Sequence, residues 1–344
     1  MMPDRAKSLL KVVPGFAVSA FFIWWTYIRI HPDGTRGFNP QVFRSIHVTS
    51  WVWVVAVLFF TAAGYTMRCF RWWMMLRPMG AKFSTCARVL MTSLAANNIL
   101  PLRIGDIMRV FTYAGDLGVP PTSVLSTVIL EKLLDVFTLA VLVMFTMHFG
   151  KGVSPHAKLV AELCVAISTA GLFVLIFGAK QLQGPIQKLS AKTQNGIVAK
   201  IEHYLGLAIE CIEKIGILGT LMLIVYSFIA WGCEGVMYAS AAKMIGLVTD
   251  WVGPWQAVAE ANLSFLIPSS PGGIGPFELA CQDALVRHGA SKEWAATYGL
   301  LIHVWLLLAL TGVGGAIFFA HRAHRALRKP LLEEVEALPT ATEL

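Results

Sequence analysis

The stretch NNILPLRIGDIMR, Asn97 to Arg109, decides how this chain is read. It stands between two hydrophobic runs, yet it holds Arg103, Asp106 and Arg109, the helix-breaking Pro101 and Gly105. Around it, the 344-residue chain is 56% hydrophobic and only 14% charged, with a mean hydropathy of +0.64. Soluble domains carry about 25% charged residues, so the composition implies an all-α, polytopic membrane protein. Inside lipid, broken backbone and charge survive only where protein or a water-filled cavity surrounds them. The stretch is therefore either a buried structural knot or the lining of a pathway. A second stretch, PSSPGGIGPFE from Pro268 to Glu278, poses the same choice, and the two are expected to meet.

The apolar runs set the order of the chain. A short basic start (Arg5, Lys7, Lys11) precedes the run Val12–Ile28. That run is long, ends in Trp24, Trp25 and Tyr27, and has no small-residue cleavage site after it. It reads as a retained first helix and not as a signal peptide. Trp51–Met67 is the second span, and Arg68, Arg71, Arg77, Lys82 and Arg88 after it make that end cytoplasmic under the positive-inside rule. Pro120 and Pro121 open a long helix reaching His148. Ala157–Gly178, Ile217–Ala242 and Ala295–Ala320 are further spans, and HRAHRALRK (His321–Lys329) marks a cytoplasmic end. Within the polar segment 181–214, Ile197, Ile201, Leu205, Ala208 and Ile212 form the stripe of an amphipathic helix lying on the inner leaflet or on the protein. Residues 1–330 make one transmembrane domain, and 331–344 are expected to be a mobile cytoplasmic tail.

Two apolar segments are too short to cross. From Val89 to Leu100 a helix rises about 18 Å, against about 30 Å of hydrocarbon, and Val258–Ile267 is shorter still. Each is stopped by a proline and followed by a returning arm, Ile104–Ala114 and Pro276–Val286. They read as re-entrant hairpins over 84–115 and 256–288, the first dipping in from the cytoplasm and the second from outside. About six full crossings then remain, with both termini and every Lys/Arg-rich loop on the cytoplasmic side of an inner membrane. The two hairpins also echo each other: Ala96-Asn97, Leu100-Pro101 and Ile104-Gly105-Asp106 resemble Ala261-Asn262, Ile267-Pro268, Ile274-Gly275 and Glu278. Matched breaks of opposite orientation are the mark of inverted repeats in transporters, with the substrate site between them. The match is short, and coincidence explains it as well as ancestry does.

Charges in apolar segments carry the chemistry. Arg103, Asp106, Arg109, Glu131, Lys132, Asp135, Glu234 and Glu278 all fall within or beside hydrophobic runs. Each costs about 2.5–3.5 kcal/mol at a helix centre, so they must pair. Glu131 and Asp135 share a helix face at i, i+4, and the simplest pairing sets them against Arg103 and Arg109. Asp106, Glu131 and Asp135 read equally as staples or as ligand contacts. For Arg103 and Arg109 the planar, bidentate fork suits a phosphate. Gly272, Gly273 and Gly275 precede a short helix whose N-terminus carries partial positive charge, and their amides form an anion seat. A tight turn demanding glycine explains the same residues.

Several classes are excluded or weakened. The +8 net charge sits at the ends of apolar runs, with no basic groove interleaved with aromatics, so no nucleic-acid partner is called for. Cys69, Cys86, Cys164, Cys211, Cys233 and Cys281 are scattered singly and read as small buried apolar residues, with no metal spacing. Neither a phosphate-binding GxxxxGK[ST] loop nor HExxH occurs, and no cofactor is implied. RWWMMLRP (Arg71–Pro78) is faintly like the first motif of lipid-phosphate phosphatases, but no nucleophilic His motif follows. His303, in the last span, reads as a core histidine ahead of a proton relay.

Taken together, Asn98, Pro101, Arg103, Gly105, Asp106 and Arg109, then Glu131, Lys132 and Asp135, then Pro271, Gly272, Gly273, Gly275 and Glu278 resemble the lysylphosphatidylglycerol synthase transmembrane-domain family, also described as flippase-like. The order and spacing run from about residue 10 to 325. The family usually has Glu at Asp106 and Arg at Lys132; both changes keep the charge and bear on headgroup geometry. Known members fuse this domain to a cytosolic aminoacyl transferase. This chain ends about twenty residues after its last helix, so the resemblance implies a stand-alone translocator and not a synthase.

The expectation is a lipid transporter, flippase or scramblase-like, and not an enzyme. Arg103, Arg109 and the amides of Gly272–Gly275 hold a lipid phosphate, with Asn98 at the same site. Asp106, Glu131, Asp135 and Glu278 balance the arginines or meet a cationic headgroup. A membrane lipid is the substrate; a homodimer and contact with envelope-lipid enzymes are compatible with this. The rival readings are a membrane-embedded enzyme on a lipid phosphate and a non-transporting scaffold.

Overall fold

The computed structural model describes the backbone of residues 4–29, 39–149 and 196–336, with scattered helical positions between 159 and 170. Side chains are described over 14–29, 39–148 (Leu102 excepted) and 215–326, at 213 and at those scattered positions. Among the described residues every regular element is helical. In order they are α1 (Asp4–Ile23), extended by a π-turn at Trp24–Ile28, α2 (Pro40–Ser45), α3 (Trp51–Leu76), α4 (Phe83–Ile99), α5 (Ile104–Phe111), α6 (Ala114–Leu117), α7 (Pro121–Phe149), α8 (Gly196–Met244), α9 (Gly253–Leu263), α10 (Pro276–Arg287) and α11 (Lys292–Glu336).

Among the described residues, three helical stretches are long and apolar enough to cross a membrane: Trp51–Met79, Ile215–Met244 and Lys292–Ala326. The apolar part of the first helix, Pro14–Ile28, is shorter. Helix α7 has 29 residues but carries Glu131, Lys132 and Asp135 in its middle. The expected span 157–178 lies largely outside the described residues, and so do the side chains of the amphipathic stripe 197–212. Gly216, with φ +76°, breaks α8 where the polar pattern gives way to the apolar one. Helix α11 continues to Glu336, so residues 331–336, expected in a mobile tail, are helical; 337–344 are outside the described set.

Both predicted breaks fold back on themselves. Helix α4 ends at an extended Leu100 (φ −95°, ψ 141°), and a 3₁₀ turn, Pro101–Arg103, reverses the chain. Arg103 sits in the left-handed region at φ 51°, ψ 43°, the one non-glycine residue to do so among those described. No residue next to α5 caps it; Asn97 of α4 does, its Oδ1 accepting the Asp106 N–H at 3.2 Å. Gly105 lets α5 lie directly on α4, because a Cβ there would run into the Ser93 carbonyl oxygen. Small residues at such crossings are what allow helices to pack closely in lipid, where dispersion replaces the hydrophobic driving force.

The second hairpin pairs α9 with α10. Its open end is closed by the Arg287–Glu260 ion pair and by His288, which meets Asp250 at 2.8 Å and Gln256 at 2.6 Å. Asp250 Oδ1 accepts the N–H groups of Val252 and Gly253, at 2.9 Å each, ahead of α9. Burial opposes its charge, but these hydrogen bonds and that from His288 hold its carboxyl below the ordinary range. The tip, between Leu263 and Pro276, is clamped by α1: Ser19 Oγ donates to Ser270 Oγ at 2.8 Å and accepts the Ser270 N–H at 2.9 Å.

Two packed cores flank the tips. One gathers Trp72, Met75, Leu76, Val89, Leu90, Leu130 and Leu134 from α3, α4 and α7. The other gathers Tyr238, Ala257, Phe277, Cys281 and Leu285 from α8, α9 and α10, with Tyr298 and Ile302 from α11.

Candidate functional site

The hairpin tips meet. Arg103 Nη2 donates to the Phe265 carbonyl oxygen at 3.1 Å, and a Cβ added at Gly272 would lie 3.5 Å from the Asn98 carbonyl oxygen. Between the tips and helices α3, α7, α8 and α11 lies a cavity of about 660 Å³, within the size range of small-molecule sites. Arg103, Leu266, Ile267 and Pro268 line it and are exposed, so the cavity reaches the surface at the tips.

Three charge clusters build its wall. In the first, Arg109 Nη1 bonds Glu131 Oε2 at 2.7 Å, Nη2 bonds Asp106 Oδ1 at 3.3 Å and Nε bonds Ser93 Oγ at 3.1 Å. Lys132 Nζ lies 3.7 Å from Asp106 and 3.6 Å from Glu131, and Asn97 donates to Asp106 Oδ1 at 3.1 Å. In the second, Asp135 Oδ1 accepts from Arg71 Nη1 at 2.8 Å and from Trp231 Nε1 at 3.2 Å. In the third, Glu234 accepts from Arg68 at 2.6 Å and from Asn262 at 3.0 Å. The Arg68 guanidinium stacks over Trp231, 4.5 Å from the ring centre.

Arg103 stands apart. Among the described residues it has no carboxylate within ion-pair distance; its contacts are the Phe265 carbonyl and the Phe265 ring, 6.0 Å away. Around the cavity, Arg68, Arg71, Arg103, Arg109 and Lys132 face Asp106, Glu131, Asp135 and Glu234. The surplus positive charge is Arg103's, at an exposed position with strained backbone. Left-handed non-glycine residues persist where the surrounding structure enforces them, often at ligand sites.

Of the residues expected at a site, Asn98, Arg103, Asp106, Glu131, Asp135, Gly272 and Gly273 line the cavity. Arg109, Gly275 and Glu278 are buried behind its wall. The expected pairing is corrected, and two expected contacts are met by partners within the protein. Arg103 does not pair with Glu131 or Asp135, because Arg109 takes Glu131 and Arg71 takes Asp135. Arg109 is fully buried and makes its three hydrogen bonds to protein, so it staples the first hairpin to α7. The anion seat at α10 is filled from within: Glu278 Oε2 accepts the Gly275 N–H at 2.7 Å, and the Gly273 N–H closes a turn onto Ser270 O at 3.0 Å. A helix N-terminus attracts negative charge, and here the third residue of the helix supplies it. Glu278 Oε1 also meets His303 Nδ1 at 2.8 Å, and His303 Nε2 meets the Gly272 carbonyl at 2.9 Å.

Sequence reasoning missed Arg68, Asn97 and Asn262 as cavity residues. Arg68 and Arg71 were read as topology signals, but both turn into the protein. No local signal marks this, because the groups that hold Arg68, Glu234 and Trp231, are remote in the chain.

The family model described as the lysylphosphatidylglycerol synthase TM region matches residues 12–314. No curated protein matches the chain significantly.

Proposed function

This chain belongs to the lysylphosphatidylglycerol synthase TM region family, and from that premise we propose that it moves phosphate-headed lipids between leaflets through the cavity at its hairpin tips. The two hairpins are re-entrant and dip in from opposite faces of a cytoplasmic membrane, with both termini inside. The lipid phosphate docks on Arg103, the cation that no carboxylate among the described residues neutralises; that unpaired charge is the observation carrying this reading. A charged hydrogen bond to phosphate is stronger than a neutral one, and Arg103 supplies it where the cavity opens. The acyl chains stay in the bilayer against the apolar residues that the tips expose, Ile99, Leu266, Ile267 and Ile274. The chain works as a carrier and not as an enzyme: among the described residues the cavity wall offers one open cation and otherwise paired charges, with no nucleophile set beside a base.

Purified protein in vesicles of phosphatidylethanolamine and phosphatidylglycerol, carrying tail-labelled phosphatidylglycerol, tests this. Loss of signal to a membrane-impermeant quencher reports transfer between leaflets. Arg103→Ala is expected to slow transfer about 10- to 100-fold, the size of one lost charged hydrogen bond, while inserting normally. Unchanged transfer in that variant rules the reading out.

A further inference from the structure

The strongest unassigned feature is the His303–Glu278 pair beneath the second tip. Both side chains are almost fully buried, at 3% and 4% exposure, and His303 and Gly272 border the cavity. The Gly272 carbonyl can only accept, so Nε2 carries a proton. Glu278 accepts the Gly275 N–H through Oε2, so its Oε1 and His303 Nδ1, 2.8 Å apart, hold one proton between them. The ring thus makes both bonds when the pair holds two protons, one on Nε2 and one between Nδ1 and Oε1. It stacks on Phe277 at 4.1 Å between centres and ties the glycine turn to α10.

Removal of one proton leaves a ring with one N–H for two acceptors. Either the Glu278 or the Gly272 bond is then released, and the glycine turn loses its tether on the side facing the cavity. Gly272 holds φ +74°, a backbone state open to glycine, and it packs on Asn98 of the other hairpin; Ser270 stays anchored by Ser19 and by the Gly273 N–H, so the change on release falls on Gly272. The negative charge left on Glu278 still faces the N-terminus of α10, which stabilises it. The other titratable or charged groups facing the pair are Tyr27 from the end of the first helix and Cys281 on α10, both close enough to feel the Glu278 charge. Arg103 lies across the cavity on the first tip.

We infer that His303 and Glu278 form a proton-binding site that latches the second hairpin tip, so that lipid passage is coupled to the release and rebinding of one proton between His303 and water in the cavity. This rests on the transport reading above and supplies its driving ion.

The same vesicles test it with an imposed pH difference and the membrane potential clamped. One proton per lipid shifts the steady-state leaflet ratio up to about tenfold per pH unit. The wild type is expected to follow the gradient, and His303→Gln and Glu278→Gln are expected to hold a ratio near one. A wild type that moves lipid but ignores the gradient, or a His303→Gln protein that still follows it, overturns the inference and leaves the transport reading intact. A wild type that moves no lipid at all sinks the transport reading. Titration calorimetry then decides the proton site separately, with phosphatidylglycerol in detergent and two buffers of different ionisation heat. About one proton exchanged per lipid by wild type supports the latch, and none overturns it. The same calorimetry decides the matter if neither variant folds.

Discussion

At the tip of the first hairpin Arg103 keeps its charge open to the cavity, while at the tip of the second Glu278 turns back into the N-terminus of its own helix. Both tips are built from proline, glycine and charge, and both reverse the chain. They differ in where the cap of the following helix comes from. Helix α5 is capped from outside its own segment, by Asn97, which leaves Arg103 without a local task. Helix α10 is capped by its own third residue, which fills the site that a ligand anion would otherwise use. A glycine-rich turn before a helix is thus a ligand seat only when no acidic residue in the first helical turn reaches back to it.

The largest expected effect breaks the contrast between the two arginines of the first hairpin. Arg109→Ala strands Glu131 and Asp106 in a buried site and is expected to cost about 3–5 kcal/mol, read as loss of monodisperse protein or of resistance to denaturing detergent. A stable Arg109→Ala protein that no longer moves lipid would make Arg109 a ligand and not a staple. Next comes the second tip. Glu278→Ala leaves the Gly275 N–H and His303 without their acceptor, a loss of about 1–3 kcal/mol. It also empties the N-terminus of α10, so inorganic phosphate should raise the melting temperature of this variant more than that of the wild type. Equal shifts would mean that Glu278 does not occupy an anion site. The smallest change in stability belongs to Arg103→Gly. Glycine relieves the left-handed strain, so stability should match the wild type or exceed it by up to about 1 kcal/mol, while lipid transfer falls as in Arg103→Ala. A destabilised Arg103→Gly protein would show that the side chain holds the tips together.

The breaks that frame the cavity were legible in the sequence. Pro101, Pro268 and the glycines after them mark the reversals, since a missing N–H and a left-handed turn cannot continue a helix. The meeting of the tips followed from needing somewhere to place Arg103 away from lipid. Partner choice was not legible. Asp135 and Glu131 share a helix face, yet one pairs with Arg71 of α3 and the other with Arg109 of α5. Arg68 looked like a topology signal because position along a helix is visible in sequence, whereas the rotation that points the side chain inward is set by neighbours far away in the chain.

The sequence by itself determined an all-helical membrane chain, the two points where its helices break, and the set of charges that must be sheltered, because hydropathy, backbone freedom and desolvation act locally. Only the tertiary structure decided which charges cancel, that Glu278 plugs its own helix, and that Arg103 is left over. Those outcomes depend on ångström-scale distances between helices that are remote in sequence, and an ion pair or hydrogen bond exists only at such distances.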